Sequence, residues 1–289
     1  MNKTVNLIIL PGMLLLLSLP GCKEQQTVPA DSGVVEANQA YLNNFGAAPH
    51  ETVGRAFARV GYLPLQNNPE QVRALPLFLF GEQDQLRQIL DRLTSGTLFL
   101  PPETELYNPF PSDLKVTVTS PENETVTLAL TTADPWPADD LRAAVTALTE
   151  TAVQFPDITR VRISLNGELL PRMPEGGFMH SPRHLLEVGP PTLIMVVGMW
   201  DKGAEALDEI LVEFDRPVTV NSFQLYDKAG KKVDGEYFTS AFNMAVVVHP
   251  QDPGRYRDGT VLRAEWDVVD TLGRSNKGTS SVPLRRVEH

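Results

Sequence analysis

The chain has a single cysteine, Cys22, in 289 residues, so no disulfide can form within it. Its five histidines form no Cys/His cluster of metal-ligand spacing. No Gly-x-Ser-x-Gly elbow, phosphate-cradling glycine loop, His-Glu-x-x-His or dinucleotide fingerprint occurs, which removes the common sequence grounds for a hydrolase, nucleotide enzyme or metalloprotease. Aromatic residues make up 7% of the chain, with three tryptophans. Positive charge is scarce: 25 Lys and Arg against 36 Asp and Glu give a net charge of −11, a surface that repels nucleic acid and anionic lipid. Beyond the amino terminus no apolar run reaches membrane-spanning length.

What is present begins with an export segment. Lys3 precedes Leu7-Ile8-Ile9-Leu10 and Met13-Leu14-Leu15-Leu16-Leu17, an apolar core too short for a permanent span. It ends in Leu19-Pro20-Gly21-Cys22, which resembles the lipobox of bacterial lipoproteins, with Pro20 the less usual member. That resemblance implies cleavage after residue 21 and a lipid on Cys22, which explains the lone thiol. It places the protein on the extracytoplasmic face of the cell membrane. The alternative is an ordinary signal peptide that happens to end near a buried cysteine.

After the signal peptide (1–22), residues 23–52 are polar and weakly periodic, as in a flexible tether, with a short helix between Glu36 and Phe45. A first domain follows over 53–170. Val60–Leu65 suits a strand or docking segment, and Leu75–Phe80 is a short apolar run. Leu86, Ile89, Leu90 and Leu93 mark a helix over 83–93 that stops at Gly96, and Thr97–Leu100 is strand-like. Leu114, Val116 and Val118, then Val126, Leu128 and Leu130, alternate around the turn Pro121–Glu124 as a hairpin with one buried face. A second helix follows Pro137, with Asp139 and Asp140 at its positive end and Leu141, Val145, Leu148, Ala152 and Phe155 as its inner stripe. Pro156 ends it, and Val161, Ile163 and Leu165 form a strand closed by Asn166-Gly167. The sum is an α+β domain, with helices on one face of a small, largely antiparallel sheet.

Residues 171–190 carry prolines and glycines in runs such as Pro171-Arg172-Met173-Pro174-Glu175-Gly176-Gly177 and read as a linker. Over 191–289 no helix is apparent. Short strands at 193–199, 209–214, 222–226, 244–249, 260–269 and 280–284, separated by turns, indicate an all-β immunoglobulin-like sandwich.

Ser112–Glu168 resembles the GerMN domain of bacterial sporulation and germination lipoproteins, a fold similar to ring-building modules. The shared features are the hairpin, the helix Leu141-Arg142-Ala143-Ala144-Val145-Thr146-Ala147-Leu148, the helix end Phe155-Pro156 and the strand Ile163-Ser164-Leu165-Asn166-Gly167. With the helix at 83–93 the likeness covers about 100 residues from Leu75, and its start, Val60–Phe80, is the poorer match. The family implies work by protein contact and supplies no catalytic residues to carry over. The C-terminal part resembles the CopC-like and SbsA-like bacterial immunoglobulin folds. Ile210–Val218 matches the opening strand and Gly259-Thr260 through Trp266-Asp267-Val268-Val269 the closing hairpin. Where CopC proteins place a copper-ligating histidine after a glycine, this chain has Gly273-Arg274, and a guanidinium cannot serve. The fold carries over and the copper does not.

Other candidates weaken against simpler accounts. His180 and His184 stand four apart but flank Pro182, and a solvated linker pair suffices. Asp139 with Asp140, and Glu103 with Glu105, are explained by a helix start and a loop. Trp200 and Trp266 are expected in the sandwich core. Trp136, between two prolines, is the one aromatic singled out as a possible contact residue, although packing on the helix it precedes is the favoured account. The expectation is a non-enzymatic, lipid-anchored envelope protein without cofactor or metal. Its partners would be the membrane, through the Cys22 lipid, and envelope or sporulation-complex proteins, with no nucleic acid. The alternative is a binding module for metal, glycan or cell wall through the sandwich; an extracellular hydrolase would need a deep polar pocket near 170–190.

Overall fold

A computed structural model describes residues 33–50, 54–95, 100, 105–119 and 121–288. The signal peptide, Cys22, Gly96 and the strand-like Thr97–Phe99 lie outside the described residues.

The 23–52 segment departs from its expectation from residue 35 onward. Val35–Ala37 is a strand (β1), and Gln39–Phe45 is a helix (α1) started by Asn38, whose side chain accepts the Tyr41 N–H at 2.9 Å. Tyr41 and Phe45, four apart, put two aromatic rings on one face, and both are buried. That face docks the segment into the core, so these residues are not tether.

The centre of the first domain is a long hairpin, β2 (Ala56–Leu65) and β3 (Asn68–Leu79), paired from Phe57↔Leu79 to Pro64↔Val72. β1 adds in parallel to β2, and the nearly buried Arg59 secures it by donating to the Glu36 carbonyl at 2.7 Å. Every residue of β2 is buried, so both faces of the hairpin are covered and the polar alternation that betrays a strand is missing. Pro76 is tolerated because β3 is an edge strand, where a missing N–H breaks no ladder bond. Gly61 is required by packing: a Cβ there would stand 2.9 Å from Leu77 and 3.0 Å from Leu93.

Helix α2 (Gln85–Thr94) buries Leu86, Ile89, Leu90 and Leu93, the stripe its spacing predicts. β4 (Lys115–Val118) and β5 (Thr125–Thr131) pair antiparallel around Asn123 and Glu124, both left-handed, as a two-residue primed turn demands. α3 (Ala138–Ala152) then crosses to β6 (Arg160–Leu165), which lies parallel to β5. The sheet is therefore mixed, because a helix-long connection permits parallel pairing. Asn166-Gly167 turns β6 into β7 (Glu168–Leu169), and β8 (Phe178–Met179) pairs along β6.

The inner stripe of α3 is turned from its expected setting. Ala144, Ala147, Leu148 and Thr151 are buried, whereas Leu141 and Val145 are only half-buried at its flank. The alanines let the helix approach the β2–β3 hairpin closely, which moves the larger side chains aside.

Residues 171–190 are a packed strap and not a free linker. Leu186 donates to the Val72 carbonyl at 2.9 Å, Val188 is buried, and Leu185 and Leu186 rest on the first core. The prolines and glycines mark its turns.

The second half is the expected sandwich. One sheet orders β12 (Gly235–Thr239), β13 (Ala245–Pro250), β10 (Glu209–Phe214), β9 (Leu193–Trp200) and β16 (Arg285–Glu288); the other orders β11 (Thr219–Tyr226), β14 (Val261–Val269) and β15 (Ser275–Pro283). Their inner faces meet in Val196, Trp200, Ile210, Phe214, Leu225, Val248, Leu262 and Val268. Trp200 is fully buried with Arg286 over its ring, and Trp266 is half-buried, its indole donating to Asn276.

The two halves are joined by buried charge. Arg216 is 1% exposed, its guanidinium donating to Asp215 at 2.8 Å, to Asp270 at 3.3 Å and to the Gly189 carbonyl at 2.6 Å. Arg73 of β3 reaches the same Asp215 at 3.3 Å. Arg274 pairs with Asp270 at 2.6 Å and donates to the carbonyls of Val188 (2.6 Å) and Asn44 (2.8 Å). Phe242, in left-handed backbone, stacks on Phe78 at 4.2 Å. Arg216→Ala would take from Asp215 and Asp270 the partner they share, leaving each with one arginine, Arg73 and Arg274, with an expected loss of about 1–3 kcal/mol in urea unfolding. A loss within error would show that the network contributes nothing.

Candidate functional site

Two places in the first domain present unusual chemistry or unpaired backbone. The first is β4. Among the described residues it pairs with β5 alone. Thr119 N–H bonds the Thr127 carbonyl at 3.0 Å, so strand alternation points the N–H groups of Val116 and Val118 away from β5. A hollow of about 500 Å³ runs between this edge and α2, lined by Arg87, Asp91, Thr94 and Ser95 opposite Leu114–Val118. An open edge beside an open hollow can accept an added strand.

The second is a carboxylate inside the helix layer. Glu150 of α3 is 2% exposed, and its two oxygens are occupied from the strap: His180 Nδ1 at 2.7 Å, His184 Nδ1 at 3.1 Å and the Ser181 N–H at 3.0 Å. His180 and His184 keep 51% and 37% of their side chains in water, as a solvated pair would, but each is also tied to the chain by one ring nitrogen. Their spacing across Pro182 forms a single 3-10 turn that aims both rings at one buried carboxylate. Among the described residues no cluster of three or more His, Cys, Asp or Glu has the geometry to hold a metal. Burial pushes the neighbouring Tyr62 phenol up to about 12, the Glu150 charge adding to the rise and the Asn44 side chain opposing it. Nothing in the sequence singled out Glu150. The available signal was an acidic residue in the alanine-rich inner part of α3, facing two histidines of one turn.

Trp136 is half-buried, packs on the first core and donates its indole N–H to the Pro109 carbonyl at 2.9 Å. Its polar end is thus satisfied within the chain, in agreement with packing on the first module. Asp139 and Asp140 lie in the first turn of α3, as expected of helix-start charges, and Asp139 is paired with Arg142. Glu103 is outside the described residues, and Glu105 reaches Arg73 at 3.9 Å. Arg274 is committed to Asp270 and two backbone carbonyls.

The chain is thus an α+β module of this order followed by an immunoglobulin-like sandwich, and no helix among the described residues is long and apolar enough to cross a bilayer. Residues 62–171 match the family model described as Germane, sporulation and spore germination. Among solved structures, the chain is similar to the first GerMN domain of the sporulation protein GerM from Bacillus subtilis, at 25% identity and TM-score 0.34, covering 43% of this chain and 93% of that one. The tandem GerMN domains of the same protein match at 22% identity and TM-score 0.36, over 62% of this chain and 58% of that one. PcoC, a methionine-rich copper resistance protein from Escherichia coli, matches at 16% identity and TM-score 0.25, over 34% of this chain and its whole length. No curated protein matches. A GerMN domain followed by a CopC-like part is the composition expected from the residues, and neither part is described by an enzymatic activity.

Glu150→Ala would leave the Ser181 N–H and two imidazoles without their acceptor. The expected cost is about 1–3 kcal/mol, with faster amide exchange confined to residues 178–188. Uniformly faster exchange, or none, would mean that Glu150 does not hold the strap.

Proposed function

We propose that this chain is a non-enzymatic envelope protein, held by a lipid on Cys22 at the outer face of the cell membrane, that acts through protein contacts in sporulation or spore germination. The observation that carries this is the Germane match over residues 62–171. Supporting it is the edge of β4 within that stretch, unpaired among the described residues, which offers two outward N–H groups to a strand from a neighbouring module. Against the rival sandwich-centred reading, a binding module for metal, stands Arg274, whose charge lies in the joint between the modules. Against a hydrolase stands the cleft beside residues 170–184, whose floor is apolar rather than polar.

Val118→Pro removes one outward donor while keeping the ladder to β5, and Val118→Ala trims the same side chain but keeps the donor. Crosslinking from living cells is expected to lose envelope partners with the proline variant and retain them with the alanine variant; equal capture by both would refute edge pairing. Labelled palmitate should enter the wild-type protein and not Cys22→Ser, and equal labelling would sink the anchor.

A further inference from the structure

The displaced side chains of α3 open a cleft of about 750 Å³ that the proposed protein contacts do not use. Its floor is hydrocarbon and sulfur: Leu141 and Val145 of α3 face Leu170, Pro171, Phe178 and Met179 of the strap. Such a volume and lining suit a small organic ligand. Burying those half-exposed side chains is the driving force available for binding.

Charge at the rim says what kind of ligand. Asp139 and Arg142 neutralise each other, and His184 is engaged by Glu150. Two rim groups of opposite sign remain without a partner in the described chain, Glu70 at the start of β3 and Arg172 in the strap. Arg172 is held in left-handed backbone, φ 66°, which is uncommon for a long side chain. Thr149 lies in the lining with a buried hydroxyl that also has no partner.

We propose that this cleft binds a short apolar peptide, its side chains on the Leu141–Val145–Phe178–Met179 floor, its free carboxylate at Arg172 and its free amine at Glu70. A fatty acid would leave Glu70 facing an anion, and an apolar amine would leave Arg172 facing a cation. A zwitterion with an apolar body satisfies both, and a tripeptide of roughly 10 Å extended length fits the volume. The site sits at the Asn67-Asn68 tip of the hairpin, about 30 Å along β2 from Ala56, where the chain enters through β1.

Calorimetry on the full-length chain with trileucine, trileucine amide and N-acetyl-trileucine tests this. Trileucine should bind; the amide should bind wild type about fivefold more weakly, the worth of one exposed ion pair, and lose that difference in Arg172→Gln. N-acetyl-trileucine should behave in the same way toward Glu70→Gln. Both residues are exposed, so neither variant threatens the fold. No binding of trileucine at millimolar concentration would overturn the proposal, as would an amide penalty that persists unchanged in Arg172→Gln.

Discussion

Arg216 is a full positive charge taken out of water, and the arrangement of both modules follows from the need to satisfy it. A buried guanidinium is tolerated only with its donors engaged, and Arg216 engages them on two carboxylates and the carbonyls of Gly189 and Pro190. Those carboxylates need further partners, which Arg73 and Arg274 supply from opposite sides. The strap must then run where its carbonyls can accept from Arg216 and Arg274, and α1 must end where Asn44 can do the same. One desolvated cation thus fixes β3, α1, the strap and two turns of the sandwich relative to each other.

Such a joint favours specificity of arrangement over raw stability. Hydrophobic residues of equal volume could fill the space at comparable free energy, but they would not dictate register between modules. The Phe78–Phe242 stack adds contact area that a greasy joint would also have. The charge network adds direction: each guanidinium donates along fixed lines, so a shift of about one ångström would leave buried donors unpaired.

Much of this was legible in the residues where one face of an element is wet. α2, β4, β5, β6 and most sandwich strands follow their alternation because solvent on one side imposes it. β2 and β3 escaped notice as a long hairpin because solvent touches neither face of β2, and what alternation remains is broken by Arg59, Pro64 and Pro76. β12 was missed for the opposite reason: an edge strand with Gly235, Glu236 and Thr239 outward carries little apolar signal. The stripe of α3 was placed one position off because side-chain size was weighed above the closeness that alanine permits. The histidine pair was visible, but its partner lies thirty or more residues away. The purpose of Arg274 is not visible in the residues, because its acceptors at Val188 and Asn44 are backbone carbonyls with no residue code.

Arg274 sits in the hairpin that closes the sandwich, and a guanidinium offers only donors, two of which are spent on carbonyls. Here those carbonyls belong to the preceding module, so the hairpin that closes the sandwich also closes the joint. With the hairpin so engaged, the first module still presents, among the described residues, the edge of β4 and the cleft at the tip of the β2–β3 hairpin. The sandwich then works as a brace that holds α1, the strap and β3 in register, and with them the walls of that cleft.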